Sequence, residues 1–305
     1  MKTNTIGIIG MGWVGTSIAI STLHEGICRS LLLNDVREGI AEGEAMDLNQ
    51  GSFFFPSSEV RAAAVEDMLD CDAIVITAGR GGKPNESRLD LLKSNIDIAR
   101  SLSEQLRGYR GMLVVVANPV DVLTYFYQQF TGLPAHRVIG TGTLLDTTRL
   151  RFMIGTKLNL EPQSIHAQVI GEHGDSEVVL WSRAMIGGIR LREWKGWHPE
   201  FESEIGEAVR TAAYEIIRRK GATNHAIGLV TANLLKWLLR GERRIVSVST
   251  VMDGPHGLRD VALSLPTLMS AEGATEVLEV DMDDSELKRF LHSAEVLKAA
   301  IQSVR

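Results

Sequence analysis

The chain has 305 residues, 44% hydrophobic and 23% charged, with 29 Gly and 8 Pro. That balance excludes disordered, collagen-like and disulfide-stapled chains, and the length allows one large domain or two of ordinary size. Lys and Arg number 32 against 38 Asp and Glu, a formal charge of −6, which argues against a nucleic-acid binder because such a protein needs a basic face to displace counterions.

Short apolar runs at residues 5–10, 30–35, 72–78, 112–118 and 137–141 predict strands filled almost continuously by Val, Ile and Leu, as in sheets covered on both faces. Helical patterns at 12–26, 36–50, 88–107 and 121–130 alternate with them. Strand–helix alternation implies right-handed crossovers and a parallel, doubly wound α/β sheet. Beyond it, a helix at 144–158, a strand at 165–170 and a Gly/His turn lead into helices at 201–220 and 224–239. Strands at 245–251 and 261–265 and a charged helix from Ser285 complete an α+β half. We place the boundary after residue 141, giving domains 1–141 and 142–305. No flexible linker joins them, so the two halves are expected to pack around a shared cleft.

Other features point to ordinary roles. Arg240, Arg243 and Arg244 lack interleaved aromatics and read as a solvated helix end. Cys28 and Cys71 cannot supply a disulfide framework or a zinc site, so two buried thiols and no metal centre are expected. No secretory h-region follows the N-terminal residues, and no apolar stretch reaches the ~20 residues of a membrane span. A cytoplasmic protein with neither membrane nor nucleic-acid partners is expected.

Gly10-Met-Gly12-Trp-Val-Gly15 directly follows the first strand and opens the first helix. In that setting Gly10 makes a tight turn, Gly12 admits a pyrophosphate to the backbone, and Gly15 lets helix and strand approach. The helix N-terminus offers unpaired N–H groups and a positive dipole end. Asp35 ends the second strand about 20 residues beyond Gly15, where a carboxylate binds ribose hydroxyls. It would also repel a 2′-phosphate, and Val36 follows where an NADP site wants a cation. The pattern predicts a Rossmann-type domain that takes NAD.

The second half contributes Gly171-Glu172-His173-Gly174-Asp175-Ser176. A Gly-rich turn exposes the imidazole of His173, whose ordinary pKa suits proton transfer near neutrality. The other histidines (24, 136, 166, 198, 225, 256 and 292) carry no comparable context. Asp146 and Arg149 sit in the first turns of a helix, and Arg88 follows the Gly/Pro loop 79–87. Each is an ordinary surface or capping charge when taken alone. Together they supply an acid/base, a carboxylate to hold it and two guanidinium groups beside a dinucleotide site. That inventory fits hydride transfer to the keto carbon of a small carboxylate.

These motifs resemble the L-lactate/malate dehydrogenase family over nearly the whole chain. The resemblance rests on the phosphate loop, Lys83-Pro84 with Arg88-Leu-Asp-Leu91, Asn118-Pro-Val-Asp121, Thr141-Gly-Thr-Leu-Leu-Asp146-Thr-Thr-Arg149, the His173 turn and Lys220-Gly-Ala-Thr223. Glu172 and Thr223 resemble the lactate side of the family more than the malate side. The resemblance implies that His173 donates a proton when a 2-oxo acid is reduced and that Asp146 orients its imidazole. It implies that Arg149 grips the substrate carboxylate and that Arg88, on a mobile loop, polarises the carbonyl. By the same resemblance Asn118 bonds near carbonyl and nicotinamide, Thr223 lines the pocket, and the protein is a homotetramer or homodimer. Arg151 and His166 match the pair that binds fructose 1,6-bisphosphate in allosteric bacterial members.

One position departs from the family pattern. The residue that reads the substrate side chain falls on Gly82, where Gln goes with lactate and Arg with malate. Glycine offers neither group, so dicarboxylates are disfavoured and discrimination among monocarboxylic 2-oxo acids relaxes; Arg80 swinging inward would restore malate activity. Asn85 replaces a usual Gly, and Asn224-His225 stand where aromatic residues are common. The alternatives are a malate dehydrogenase, a broad-specificity hydroxyisocaproate-like dehydrogenase, and a non-catalytic NAD-binding sensor or structural protein. An NAD-dependent glycosidase also opens on a dinucleotide fold, but Cys28 and Cys71 lack a His at metal-ligand spacing.

Overall fold

A computed structural model describes residues 4–82 and 87–305. Lys83, Pro84 and Asn85 therefore lie outside the described residues. The strands are β1 (Thr5–Ile9), β2 (Ser30–Asn34), β3 (Glu59–Ala62), β4 (Ala73–Ile76), β5 (Met112–Val115), β6 (Val138–Gly140) and β7 (Ile165–His166). They continue as β8 (Val169–Ile170), β9 (Val178–Val179), β10 (Met185–Ile186), β11 (Ile189–Arg190), β12 (Arg244–Asp253), β13 (Arg259–Ser270) and β14 (Gly273–Val277). Helices are α1 (Trp13–Glu25), α2 (Ile40–Gln50), α3 (Arg88–Gln105), α4 (Val120–Thr131), α5 (Leu144–Leu158), α6 (Glu200–Lys220), α7 (His225–Arg240) and α8 (Asp284–Gln302).

One nine-stranded sheet runs β14-β13-β12-β6-β5-β4-β1-β2-β3. Its first six strands in sequence are parallel, as the apolar runs predict, and β1 pairs with both β2 and β4. Strand order reverses at β1, so a crevice opens at the carboxyl ends of β1 and β4, where doubly wound sheets bind ligands. Alternate side chains feed two cores on opposite faces. Ile74, Ile76, Leu113 and Val115 pack on one side, and Ala73, Val75, Met112 and Val114 on the other. Each of the Val, Leu, Ile and Met side chains among them contributes about 1.5–3 kcal/mol by leaving water.

The second half joins this framework directly. Strand β12 extends the sheet antiparallel to β6, with Ser249 opposite Gly140. Helix α7 lies against α1, where Asn224 Nδ2 donates to Ser17 Oγ at 2.8 Å. Helix α5, predicted over 144–158, forms over those residues. The predicted strand at 165–170 instead divides between two small sheets, β7 pairing with β10 and β8 with β9. Strand β3 escapes the sequence reading because it is a polar edge strand in which only Val60 is buried. Helix α2 starts four residues later than its pattern, because Gly39 takes a left-handed φ of 75° just ahead of it.

Both cysteines are free and buried. Burial pushes the thiols up, Cys28 to about 11 and Cys71 to about 12, so neither is a nucleophile at neutral pH. Among the described residues no helix is long and apolar enough to cross a membrane.

Candidate active site

Three glycines shape the phosphate end, each for a different reason. Gly10 has φ 103°, and a Cβ there would stand 2.6 Å from Ala78 N. A Cβ on Gly15 would meet Gly10 O at 2.0 Å, so only glycine lets α1 approach β1 this closely. At Gly12 a Cβ would meet nothing within 4 Å; the backbone faces open space at the start of α1, whose first turn carries no acidic residue. That opening fits a pyrophosphate. Gly15→Ala is expected to lose NADH binding and to lower the melting temperature by several degrees, read by fluorescence titration and thermal unfolding.

Asp35 lies just beyond β2 with its carboxylate turned back to the phosphate loop. Oδ2 accepts from Met11 N at 2.7 Å, and Oδ1 accepts from Arg37 N and Nε, both at 2.9 Å. Burial pushes this carboxyl up, but the bonds from Arg37 and Met11 outweigh it and hold it below its usual range. The side chain of Arg37, two residues on, thus shares both carboxylate oxygens of Asp35. Val36 itself is fully exposed.

At the chemical end, His173 is carried on the turn after β8, and Asp146 and Arg149 on the first turns of α5. His173 Nδ1 lies 2.5 Å from Asp146 Oδ2, and Arg149 donates to Asp146 Oδ1 at 2.9 Å. Asp146 is 2% exposed, so it does not relax into water. The His173 backbone N–H donates to Asp121 Oδ2 at 2.7 Å, which pins the turn from the opposite side. Burial pulls the imidazole pKa down, but the carboxylates of Asp146 and Asp121 outweigh it and raise it to about 9. Burial raises Asp121 to about 6, while His173 and Arg149 hold Asp146 below its usual range despite its burial. At pH 7 the raised pKa leaves His173 a protonated imidazolium, its ring paired with Asp146 and its backbone N–H with Asp121.

A cleft of about 630 Å³ joins these groups. Arg80, Gly82, Arg88, Asn118, Asp146, Arg149 and His173 all line it. Asn118 ends the segment after β5, and its carbonyl accepts from Asn95 Nδ2 at 3.1 Å. Gly82 is exposed, with Leu91 the nearest neighbour to a Cβ built on it. Arg80 is engaged rather than swung inward, donating to Ser94 Oγ at 2.9 Å.

Arg88 opens the helix that the 88–107 pattern predicts, rather than sitting on the loop that the resemblance implies. Ser87 caps α3 by accepting from Asp90 N at 3.1 Å, so Arg88 becomes the helix's first residue. Its exposed guanidinium stands 3.9 Å from Asp175 Oδ2. Thr223 is half-buried in the turn between α6 and α7 and is not among the residues lining this cleft. Arg151 and His166 lie together, away from the cleft: Arg151 Nε donates to Ala167 O at 3.0 Å, next to the exposed His166.

Sequence reasoning gave no role to Asp121, Glu177 or the α6 face. Asp121 was visible only as the end of the Asn118 motif, and Glu177 directly follows the His173 turn. Ala213, Tyr214 and Ile217 line the cleft at helical spacing, a signal that reads equally well as core.

Residues 4–140 match the NAD-binding domain of lactate/malate dehydrogenases, and residues 143–305 match the α/β C-terminal domain of the same family. An L-lactate dehydrogenase of Bacillus caldolyticus is 43% identical, covering 99% of this chain and 98% of its own length. One from Clostridium perfringens is 38% identical, covering 98% and 97%. Among solved structures, a minor L-lactate dehydrogenase of Enterococcus mundtii superposes with a TM-score of 0.97 at 38% identity, covering 100% of this chain and 99% of that one. With both halves matched to one family, and the His173–Asp146–Arg149 cluster lining one cleft, the chain belongs to the lactate/malate dehydrogenase family.

Proposed function

We propose that the chain reduces a monocarboxylic 2-oxo acid to the L-2-hydroxy acid and runs the reverse oxidation, with pyruvate and lactate as the principal pair. It is an NAD-dependent oxidoreductase, and the observation that carries the substrate reading is the imidazolium of His173, held by Asp146 beside Arg149 in the cleft. Gly10, Gly12, Gly15 and Asp35 would hold the dinucleotide, which when bound supplies the hydride. His173 would hand its proton to the carbonyl oxygen as it becomes a hydroxyl, and Asp146 would keep the imidazolium aimed. Arg149 would bind the carboxylate through paired hydrogen bonds, and Asn118 would bond near the carbonyl. Arg88 would turn from Asp175 toward the carbonyl, and Thr223 would approach the substrate from beyond the cleft wall.

The wall of the cleft also favours a broader, hydroxyisocaproate-like specificity as a second reading. Gly82 places no amide or charge there, and Leu91, Ala213 and Ile217 add apolar surface. A hydrophobic pocket separates homologues by only about 1–3 kcal/mol per methylene. Assays following NADH absorbance are expected to show kcat/KM for pyruvate and 2-oxoisocaproate within about 100-fold of each other, and oxaloacetate well below both. A clear oxaloacetate preference would make the protein a malate dehydrogenase; no turnover with any of the three would make it a sensor.

The proposed setting is a cytoplasmic homotetramer or homodimer. Arg151 and His166, doubled across a subunit interface, would take fructose 1,6-bisphosphate. Adding it to the same assay is expected to lower the KM for pyruvate, and an unchanged saturation curve removes the effector.

A further inference from the structure

Among the described residues, Glu177 is the one buried carboxylate lining the cleft that the reaction above leaves without a task. Its residue is 7% exposed, and its amide donates to Gly174 O at 3.2 Å, closing the turn that carries His173. Oε1 is buried with no hydrogen-bond partner. The side chain lines the substrate cleft on one side and cavities of about 390 and 500 Å³ on the other, so it forms a partition between them.

The groups around it set its charge. Asp146 and Arg149 face it from α5, and His173 from its own turn. Glu172 and Asp175 share that turn, Glu207 and Arg210 come from α6, and Arg289 and His292 come from α8 across the neighbouring cavities. Arg210, the nearest cation on α6, is engaged by Glu207 at 2.6 Å rather than by Glu177. A carboxylate in this position would be buried, with Oε1 unbonded and Asp146 close by, and these outweigh the opposing pull of His173, Arg210 and Arg149, so the group keeps its proton.

We propose that Glu177 is a positioning residue that stays a neutral carboxyl when substrate binds, so that it adds no negative charge beside Arg149 and His173, where the incoming carboxylate docks. Ionising it adds one negative charge just where a monoanion must bind. The proposal rests on the 2-oxo acid reading above. Burial first, and then Asp146, push the Glu177 carboxyl up to about 8, so the neutral form is present at pH 7 and is lost as pH rises through that value. Anion binding and proton retention at Glu177 are thereby linked: each favours the other.

The test uses the whole protein with saturating NADH and the non-reducible substrate analogue oxamate, followed across pH 6 to 10. Oxamate affinity of the native chain is expected to fall with a midpoint near pH 8, and Glu177→Gln, which cannot ionise, moves that midpoint up by about one pH unit toward the value set by His173. A purely structural role would alter affinity at all pH values and leave the midpoint in place. An independent measurement needs no variant. Calorimetry in buffers of different ionisation heat is expected to show proton uptake per oxamate at pH 8 clearly above the about 0.1 that His173 alone would give. An unchanged midpoint in Glu177→Gln, or uptake near 0.1, overturns the role of Glu177 while 2-oxo acid turnover leaves the proposed function standing. If oxamate fails to bind and no 2-oxo acid is reduced, both fall.

Discussion

Replacing His173 with Asn is expected to lower kcat for pyruvate reduction by roughly 10²–10⁴-fold and to leave NADH affinity within about threefold, to be checked by steady-state kinetics and fluorescence titration. The size follows from what the imidazole does at this position. Its pKa is raised to about 9, so at pH 7 the proton is in place before substrate arrives. Asn can still bond to Asp146 and fill the turn, but it has no proton to give up. The deficit is therefore largest near neutral pH and narrows above about 9, where native His173 is itself unprotonated. The nearest phosphate-loop contacts, Met11 N to Asp35 and Thr16 N to Gly12 O, do not involve His173, which is why cofactor affinity is spared. A variant that reduces pyruvate at the native rate would remove the proton-donor role and return the chain to the sensor reading.

The fold was legible where residue pattern and packing say the same thing. Strands buried on both faces, such as Ala73–Ile76 and Met112–Val115, are apolar at every position, and their sequence admits little else. Polar edge strands carry no such constraint. Glu59–Ala62 exposes Glu59 and Arg61 and takes its conformation from pairing with β2 rather than from its own composition. The His173 turn and the α5 motif could be singled out because their residues are local in sequence. Their convergence could not be read from spacing alone, since Asp146 and His173 come from different elements and meet only through the fold. The resemblance to a known family bridged that gap. Asp121 and Glu177 stayed silent because a buried carboxylate leaves no periodic signature; its meaning lies in burial and in the groups around it. Arg88 shows the opposite case, in which the local pattern was enough and the helix predicted from residue 88 begins there. Ser87 followed three residues later by Asp90 is a helix-start pattern, and it places Arg88 on a helix.

Arg149 offers the second large effect, and a pair of variants separates its two properties. Its planar guanidinium suits a carboxylate in a way an ammonium does not, and two charge-assisted hydrogen bonds are worth about 1.5–3 kcal/mol each. Arg149→Lys is thus expected to raise the KM for pyruvate by roughly 10²–10³-fold with a smaller effect on NADH binding. The guanidinium is also a partner of Asp146, donating at 2.9 Å to the oxygen that His173 does not use. Its positive charge lowers the His173 pKa, against the larger upward pull of Asp146. Lysine keeps that charge, so the His173 ionisation seen in the pH profile of kcat stays near its native position. Arg149→Met removes the charge and is expected to raise KM further while moving the His173 ionisation upward. If Lys and Met shift the profile alike, Arg149 does not act on His173 through charge. If Lys binds pyruvate as tightly as Arg, the paired hydrogen bonds to the carboxylate are not made, and another cation of the cleft, Arg80 or Arg210, must take that place.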